Sequence, residues 1–211
     1  MPHDHQHRHE HDEHIHEHAP DKLEHDARLA SRINIVSGIA KTALGFLALS
    51  PVLVTDGVHD FGDADTYRED ANGIAETDPV LKAKRKIRAG VKLGSYAVLG
   101  TVAETIVDQS INHAPLPFIS LVGGIGSFAL NLWVHKRFAH HDHEDADEVK
   151  GHARVDLFAS GVTIGASALA IAWTPFLLIG SLAHIGLYSW QGLKTYRKFK
   201  DQARGEPGLA H

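Results

Sequence analysis

The sequence DGVHDFGD, residues 56–63, decides how this chain is interpreted. It lies within a long apolar region and yet contains four ionisable side chains. His59 and Asp63 are four residues apart, and on a helix such residues share a face with their Cβ atoms about 6 Å apart. The pair can therefore direct an imidazole and a carboxylate at a single point.

The same spacing recurs in GHARVD, residues 151–156, at the start of a second apolar run. A single His-x-x-x-Asp pair is also compatible with a local hydrogen bond, whereas two pairs on separate helices favour metal ligation. Side by side, those helices would offer two nitrogens and two carboxylates to one divalent cation. The predicted ligands are His59, Asp63, His152 and Asp156. These residue types suit Zn²⁺, and Co²⁺, Cd²⁺, Fe²⁺ and Mn²⁺ are compatible with them.

The other polar residues of this region are expected to have supporting roles. Asp60 projects from a different face than His59 and could form an alternative pair with Asp56. Asp56 is expected to line an outer entrance or to bond the backbone in the first turn of its helix. Lys41 is expected either to pair with an acidic residue of the third apolar segment, Glu104 or Asp108, or to extend its amine to a membrane surface.

Six apolar segments follow the polar N-terminus, and crossing the hydrocarbon of a membrane takes roughly 20 residues. We therefore predict an all-α membrane protein, a six-transmembrane-helix bundle over residues 29–193. A soluble helical bundle is the alternative, but small residues clustered in apolar segments are typical of helix packing in lipid. The predicted spans cover residues 30–49, a segment from residue 51, and residues 89–111, 117–138, 150–172 and 175–193.

The positive charges indicate how such a bundle is oriented. The connections around residues 50–51, 111–117 and 173–175 contain no Lys or Arg, whereas the alternate connections and the ends contain nearly all of them. Since positive residues accumulate on the cytoplasmic side, both termini are predicted to be cytoplasmic. We expect a multi-pass protein of the plasma membrane or an inner membrane. The formal charge of −5 gives no case for nucleic acid as a partner.

Histidine is abundant, with 18 residues, and there is no cysteine, so thiolate ligands are excluded. Residues 1–28 are predicted to be a disordered His-rich cytoplasmic tail, and residues 135–148 a His-rich cytoplasmic loop. Residues 3–18 alternate His with polar residues and would either capture metal or form a solvated tail. Residues 194–211 are predicted to be a short basic cytoplasmic tail.

Over residues 30–200 the chain resembles the cation diffusion facilitator family of divalent-cation transporters. The residues that resemble the family's first two helices are Asn34, Lys41, Gly45, Ser50, Asp56, His59 and Asp63. Those that resemble its fourth and fifth helices are Asn131, His152, Asp156, Ser160 and Val162.

The resemblance implies a secondary transporter that exports Zn²⁺ or a similar cation from the cytoplasm by proton antiport. It places the transport site between the second and fifth helices, at His59, Asp63, His152 and Asp156. It further implies a homodimer, no enzymatic activity and no organic cofactor. The family's cytoplasmic C-terminal domain is expected to be missing, because only about 18 residues follow the sixth segment.

A different function is also compatible with these motifs. The chain could be a membrane-bound metal buffer or delivery protein in which metal binds without crossing the bilayer. An intramembrane metalloenzyme is disfavoured, because the chain contains no His-Glu-x-x-His motif.

Overall fold

The computed structural model describes residues 19–109, 115–141 and 144–204, and the predicted all-α class is confirmed there. These residues form six α-helices and no strand. The helices are α1 Ala19–Leu47, α2 Pro51–Ile74, α3 Pro79–Gln109, α4 Pro117–Ala139, α5 Glu144–Ala170 and α6 Phe176–Ala203. The predicted metal-capturing run, residues 3–18, lies outside the described residues.

Several helices are longer than the apolar segments from which they were predicted. Residues 19–28 of the predicted disordered tail are helical, because α1 begins at Ala19. The basic tail predicted from residue 194 is likewise helical to Ala203, and helices extend to Ala139 and from Glu144 within the predicted 135–148 loop. The early start of α1 has a packing reason, since Leu23 is fully buried in an apolar cluster. A helix that buries one face gains stability even where its other face is polar.

The polar helix α2 is the centre of the bundle. It packs against all five other helices, most extensively against α1 and α3. Its N-terminus is set by Pro51 in the first turn and by Ser50, whose side chain accepts a hydrogen bond from the Leu53 amide at 3.3 Å. The ionisable residues that made α2 an anomalous apolar segment are therefore enclosed by protein.

The interior and the surface of the bundle have unusual polarity. The described exterior carries many large apolar side chains, such as Val36 on α1, Val98 on α3 and Phe118 on α4. Buried positions, in contrast, include many polar and charged residues. Apolar surface of this extent marks a site of contact with a membrane or another protein.

By length and composition, one helix in the described residues, α4, could cross a membrane. The prediction of six spans is thus supported only in part by this measure. The other helices include polar extensions or ionisable residues, which make the apolar stretches shorter or weaker.

A buried acidic residue ties α1 to the end of α4. The Asp26 carboxylate accepts hydrogen bonds from Arg137 Nε at 2.7 Å and from His141 Nε2 at 2.9 Å. Burial alone would raise the pKa of Asp26, but the hydrogen bonds from His141 and Arg137 outweigh it and hold the pKa below its usual value. The folded state therefore favours ionised Asp26.

Replacing Asp26 by Asn is expected to destabilise the protein by about 2 kcal/mol at pH 7, because a buried charge-assisted pair is lost. A depressed pKa stabilises the fold above the unfolded value of about 3.9, and this contribution is lost as the pH falls through the folded pKa. Thermal denaturation should therefore show the two proteins converging below about pH 4. Asp21→Asn, at an exposed position in the same helix, is the control and should cost less than about 1 kcal/mol. An unchanged difference between pH 7 and pH 3 would contradict this account.

Candidate metal centre

The structure brings the four predicted ligands together between α2 and α5. His59 and Asp63 lie on α2, and His152 and Asp156 lie on α5. None is more than 6% exposed. The repeated His-x-x-x-Asp spacing predicted that the two helices would meet at these residues, and contacts of Asp63 join the two pairs.

Asp63 is the residue at which the two pairs meet. One carboxylate oxygen, Oδ2, lies 2.8 Å from His59 Nδ1, and the other, Oδ1, lies 3.1 Å from His152 Nε2. His152 Nε2 is also 3.7 Å from Asp156 Oδ1. In a tetrahedral site with metal–ligand distances of about 2.0–2.1 Å, neighbouring ligand atoms are about 3.3 Å apart. The observed separations lie on both sides of that value.

The donor atoms form two overlapping groups that are compact enough to hold a metal ion. Asp63, His152 and Asp156 form one group and His59, Asp60 and Asp63 the other, and the donor atoms of each lie within 4.8 Å of one another. Among the described residues, His59 Nε2 and Asp156 Oδ1 are buried without a hydrogen-bond partner. Buried polar atoms without partners are costly, so these two atoms are suited to binding a cation.

Three further residues support the cluster, and the sequence patterns did not identify them. The Tyr67 hydroxyl donates a hydrogen bond to Asp156 Oδ2 at 2.8 Å, and its ring meets His152 edge-on. The Tyr188 ring stacks on His59. On the far side of His152, the Gln191 amide contacts Nδ1. Such contacts orient metal ligands and fix the histidine tautomer.

Tyr67→Phe is expected to weaken metal binding by roughly 10-fold to 100-fold, the usual effect of losing an outer hydrogen bond to a ligand. The ring stays in place, so packing should be almost unchanged, while Asp156 loses its oriented partner. Titration of the purified protein with Zn²⁺ would measure the affinity. Tyr196→Phe, on the exposed part of α6, should bind as the unmodified protein does. Equal affinities for all three proteins would show that the hydroxyl does not support the site.

A cavity of about 230 Å³ adjoins the cluster at His152. Gln191 and three lysines, Lys86, Lys194 and Lys198, also form part of its wall. Lys86 Nζ bridges Asp70 on α2 at 2.5 Å and Glu148 on α5 at 3.3 Å. Burial would lower the pKa of Lys86, but the two carboxylates raise it above its usual range. The Lys86 ammonium therefore remains charged at neutral pH.

The other two acidic residues within residues 56–63 have a partner that the sequence did not predict. Asp56 and Asp60 both contact Lys41, with distances of 3.0 and 2.7 Å from Nζ to the nearest oxygens. The prediction that Lys41 extends to a membrane surface is wrong, because its side chain is buried. The predicted alternative partners, the Glu104 and Asp108 side chains, lie outside the described part of the structure. The alternative pairing of Asp56 with Asp60 stays a prediction, and in the structure both carboxylates contact the same ammonium group.

Comparison with known proteins does not extend this description. No protein-family model matches the chain, and no curated protein matches it. The resemblance to the cation diffusion facilitators therefore depends on the residues quoted above.

Proposed function

We propose that this protein is a secondary transporter that exports a divalent cation, Zn²⁺ in the first instance, from the cytoplasm in exchange for protons. The observation that carries the proposal is the convergence of two His-x-x-x-Asp pairs, from α2 and α5, on Asp63. Ionisable groups enclosed at membrane depth usually mark ion pathways. Their residue types match the transport site implied by the resemblance.

The proposal includes a membrane-embedded bundle in which all six helices cross the bilayer. It is supported by the apolar exterior and polar interior of the described residues. Lipid can cover the apolar exterior, whereas α2 remains shielded by the surrounding helices. Positive residues are concentrated at the start of α3 and at the end of α6, and the preference of such residues for the cytoplasmic side supports a cytoplasmic location for both segments. The cavity beside His152 then opens towards the cytoplasm and gives the cation a route to the site.

Coupling to protons follows from the chemistry of the ligands. His59 and His152 must be neutral to bind a metal ion, and Asp63 and Asp156 must be ionised. Protons therefore compete with the metal for the same four side chains. A bundle that exposes the site to each side in turn would release metal where protons are abundant and rebind it where they are scarce.

The proposal also covers the transported cation, the oligomeric state and the membrane. Zn²⁺, Co²⁺, Cd²⁺, Fe²⁺ and Mn²⁺ are candidate substrates, and the two imidazoles favour Zn²⁺ over Mn²⁺. We propose a homodimer in the plasma membrane or an inner membrane, acting as a transporter and not as an enzyme. The transport cycle needs no organic cofactor.

The proposal is tested by flux across a bilayer. Purified protein would be reconstituted into liposomes that contain a zinc-sensitive dye at pH 6, with Zn²⁺ outside at pH 7.5. We expect uptake that exceeds protein-free liposomes and falls when the pH gradient is collapsed with an ionophore. If the protein binds Zn²⁺ tightly and uptake equals that of protein-free liposomes, the proposal is wrong and a metal buffer or delivery protein is the better interpretation.

A further inference from the structure

Lys41 occupies a polar position between three helices, apart from the four predicted ligands. Its ammonium lies 2.7 Å from Asp60 Oδ1 and 3.0 Å from Asp56 Oδ2, both on α2. It also donates a hydrogen bond to Ser127 Oγ on α4 at 2.9 Å. The Lys41 residue is only 4% exposed. An ammonium group is therefore held by the kind of oxygen donors that also bind metal cations.

Two acidic side chains share a single ammonium group at Lys41. One ammonium group faces the carboxyl groups of Asp56 and Asp60, and both residues are buried. An uncompensated charge in such an interior is expensive unless further partners or cations are present. The contact with Lys41 thus stabilises two acidic residues at this place.

His184 adds a nitrogen donor to the same place. Its Nδ1 lies 3.8 Å from Asp56 Oδ1 and has no hydrogen-bond partner among residues 19–109, 115–141 and 144–204. The other ring nitrogen, Nε2, is anchored by the Ala159 carbonyl at 2.9 Å and by Thr163 Oγ1 at 3.1 Å. His184 is fully buried, so its free nitrogen is directed towards Asp56 within the bundle. Among these described residues, Asp60 Oδ2 also has no hydrogen-bond partner.

We propose that Asp56, Asp60 and His184 form a second cation site whose resident cation is the Lys41 ammonium. Two carboxylates and an imidazole are a donor set for a divalent metal, and the ammonium contacts both of the carboxylates. Lys41 thereby limits the core to one metal ion, held at the cluster of His59, Asp63, His152 and Asp156. This is important because Asp60 also belongs to one of the compact donor groups around Asp63. By holding Asp60, Lys41 separates the two sites.

The test is the number of metal ions bound by the full-length protein. Unmodified protein, Lys41→Met and Lys41→Arg would be dialysed against the same free Zn²⁺ concentration, and bound metal per chain would be measured by elemental analysis. Lys41→Met should bind one more ion per chain, because the site then has two carboxylates and no resident cation. Lys41→Arg keeps the positive charge and should match the unmodified protein. The His-rich residues are the same in all variants and cancel in the comparison.

Two further measurements identify the extra ion. Adding Asp56→Asn and Asp60→Asn to Lys41→Met should return the number of Zn²⁺ ions bound per chain to that of the unmodified protein. If Lys41→Met is unstable without metal, Zn²⁺ should raise its melting temperature more than that of the unmodified protein, since it fills the vacated position. The proposal is overturned if Lys41→Met binds no additional ion and gains no additional stability, or if the triple variant retains the extra ion. None of these results depends on transport, so they are independent of the flux experiment.

Discussion

Asp63→Asn is expected to abolish proton-driven Zn²⁺ uptake and to weaken Zn²⁺ binding at the core site by roughly 100-fold or more. This loss is larger than that expected from removing a hydrogen-bond partner of a ligand, because Asp63 is itself a predicted ligand. Asp63 contacts both histidines, with oxygens 2.8 Å from His59 Nδ1 and 3.1 Å from His152 Nε2. Asn has nearly the same shape but no negative charge. The loss would therefore report on the charge and the donor atoms rather than on packing.

The matched control for this substitution lies two residues along the same helix. Asp65→Asn removes a carboxylate that pairs with Arg68 and Lys92 and does not contact the cluster. Liposomes containing this variant should take up Zn²⁺ at nearly the unmodified rate. Substantial uptake by correctly folded Asp63→Asn, as judged by its melting temperature and elution volume, would contradict the assignment of the site. Equal loss in both variants would indicate a general sensitivity of α2 to lost charge.

The core of the candidate site could be predicted because its determinants are local. A four-residue spacing determines which side chains share a helical face, and the repetition of that spacing at His152 and Asp156 required only that two helices meet. The polarity of α2 likewise favours a position facing protein or a water-filled cavity, because ionisable groups are costly against lipid. Both inferences depend only on residues that lie within a few helical turns of one another.

The parts that could not be predicted depend on contacts between distant residues. Tyr67 approaches Asp156 across 89 positions of sequence, and no spacing rule links a tyrosine to a partner so remote. Lys41 had several acidic candidates within the apolar segments, and only the packing of α1 against α2 selects Asp56 and Asp60. The early start of α1 was missed for a related reason. Its stability comes from burying Leu23 in a cluster built from several helices, whereas its own composition is polar.

The close packing of α1 on α2 leads to a second large effect, expected for Gly57→Ala. A Cβ atom at residue 57 would lie 2.5 Å from both the backbone nitrogen and the Oγ1 of Thr42, and 3.0 Å from the Gly38 carbonyl oxygen. Backbone atoms cannot rotate away, so the two helices must separate. Overpacking of this kind typically costs about 1–3 kcal/mol. We expect a corresponding drop in the melting temperature of the purified protein.

Transport should fall as well, by roughly 10-fold to 100-fold, because displacements of about 1 Å are enough to disrupt a precisely positioned site. His59 follows Gly57 by two residues, so a shift of α2 away from α1 moves this ligand relative to His152 and Asp156 on α5. Gly126→Ala is the matched control, since a Cβ atom there would have nothing within 4 Å among the described residues. This control should retain normal stability and Zn²⁺ uptake in liposomes. If Gly57→Ala also retained both, α1 and α2 could not be as closely packed as the structure places them, and the position of Lys41 between its two carboxylates would have to be reconsidered.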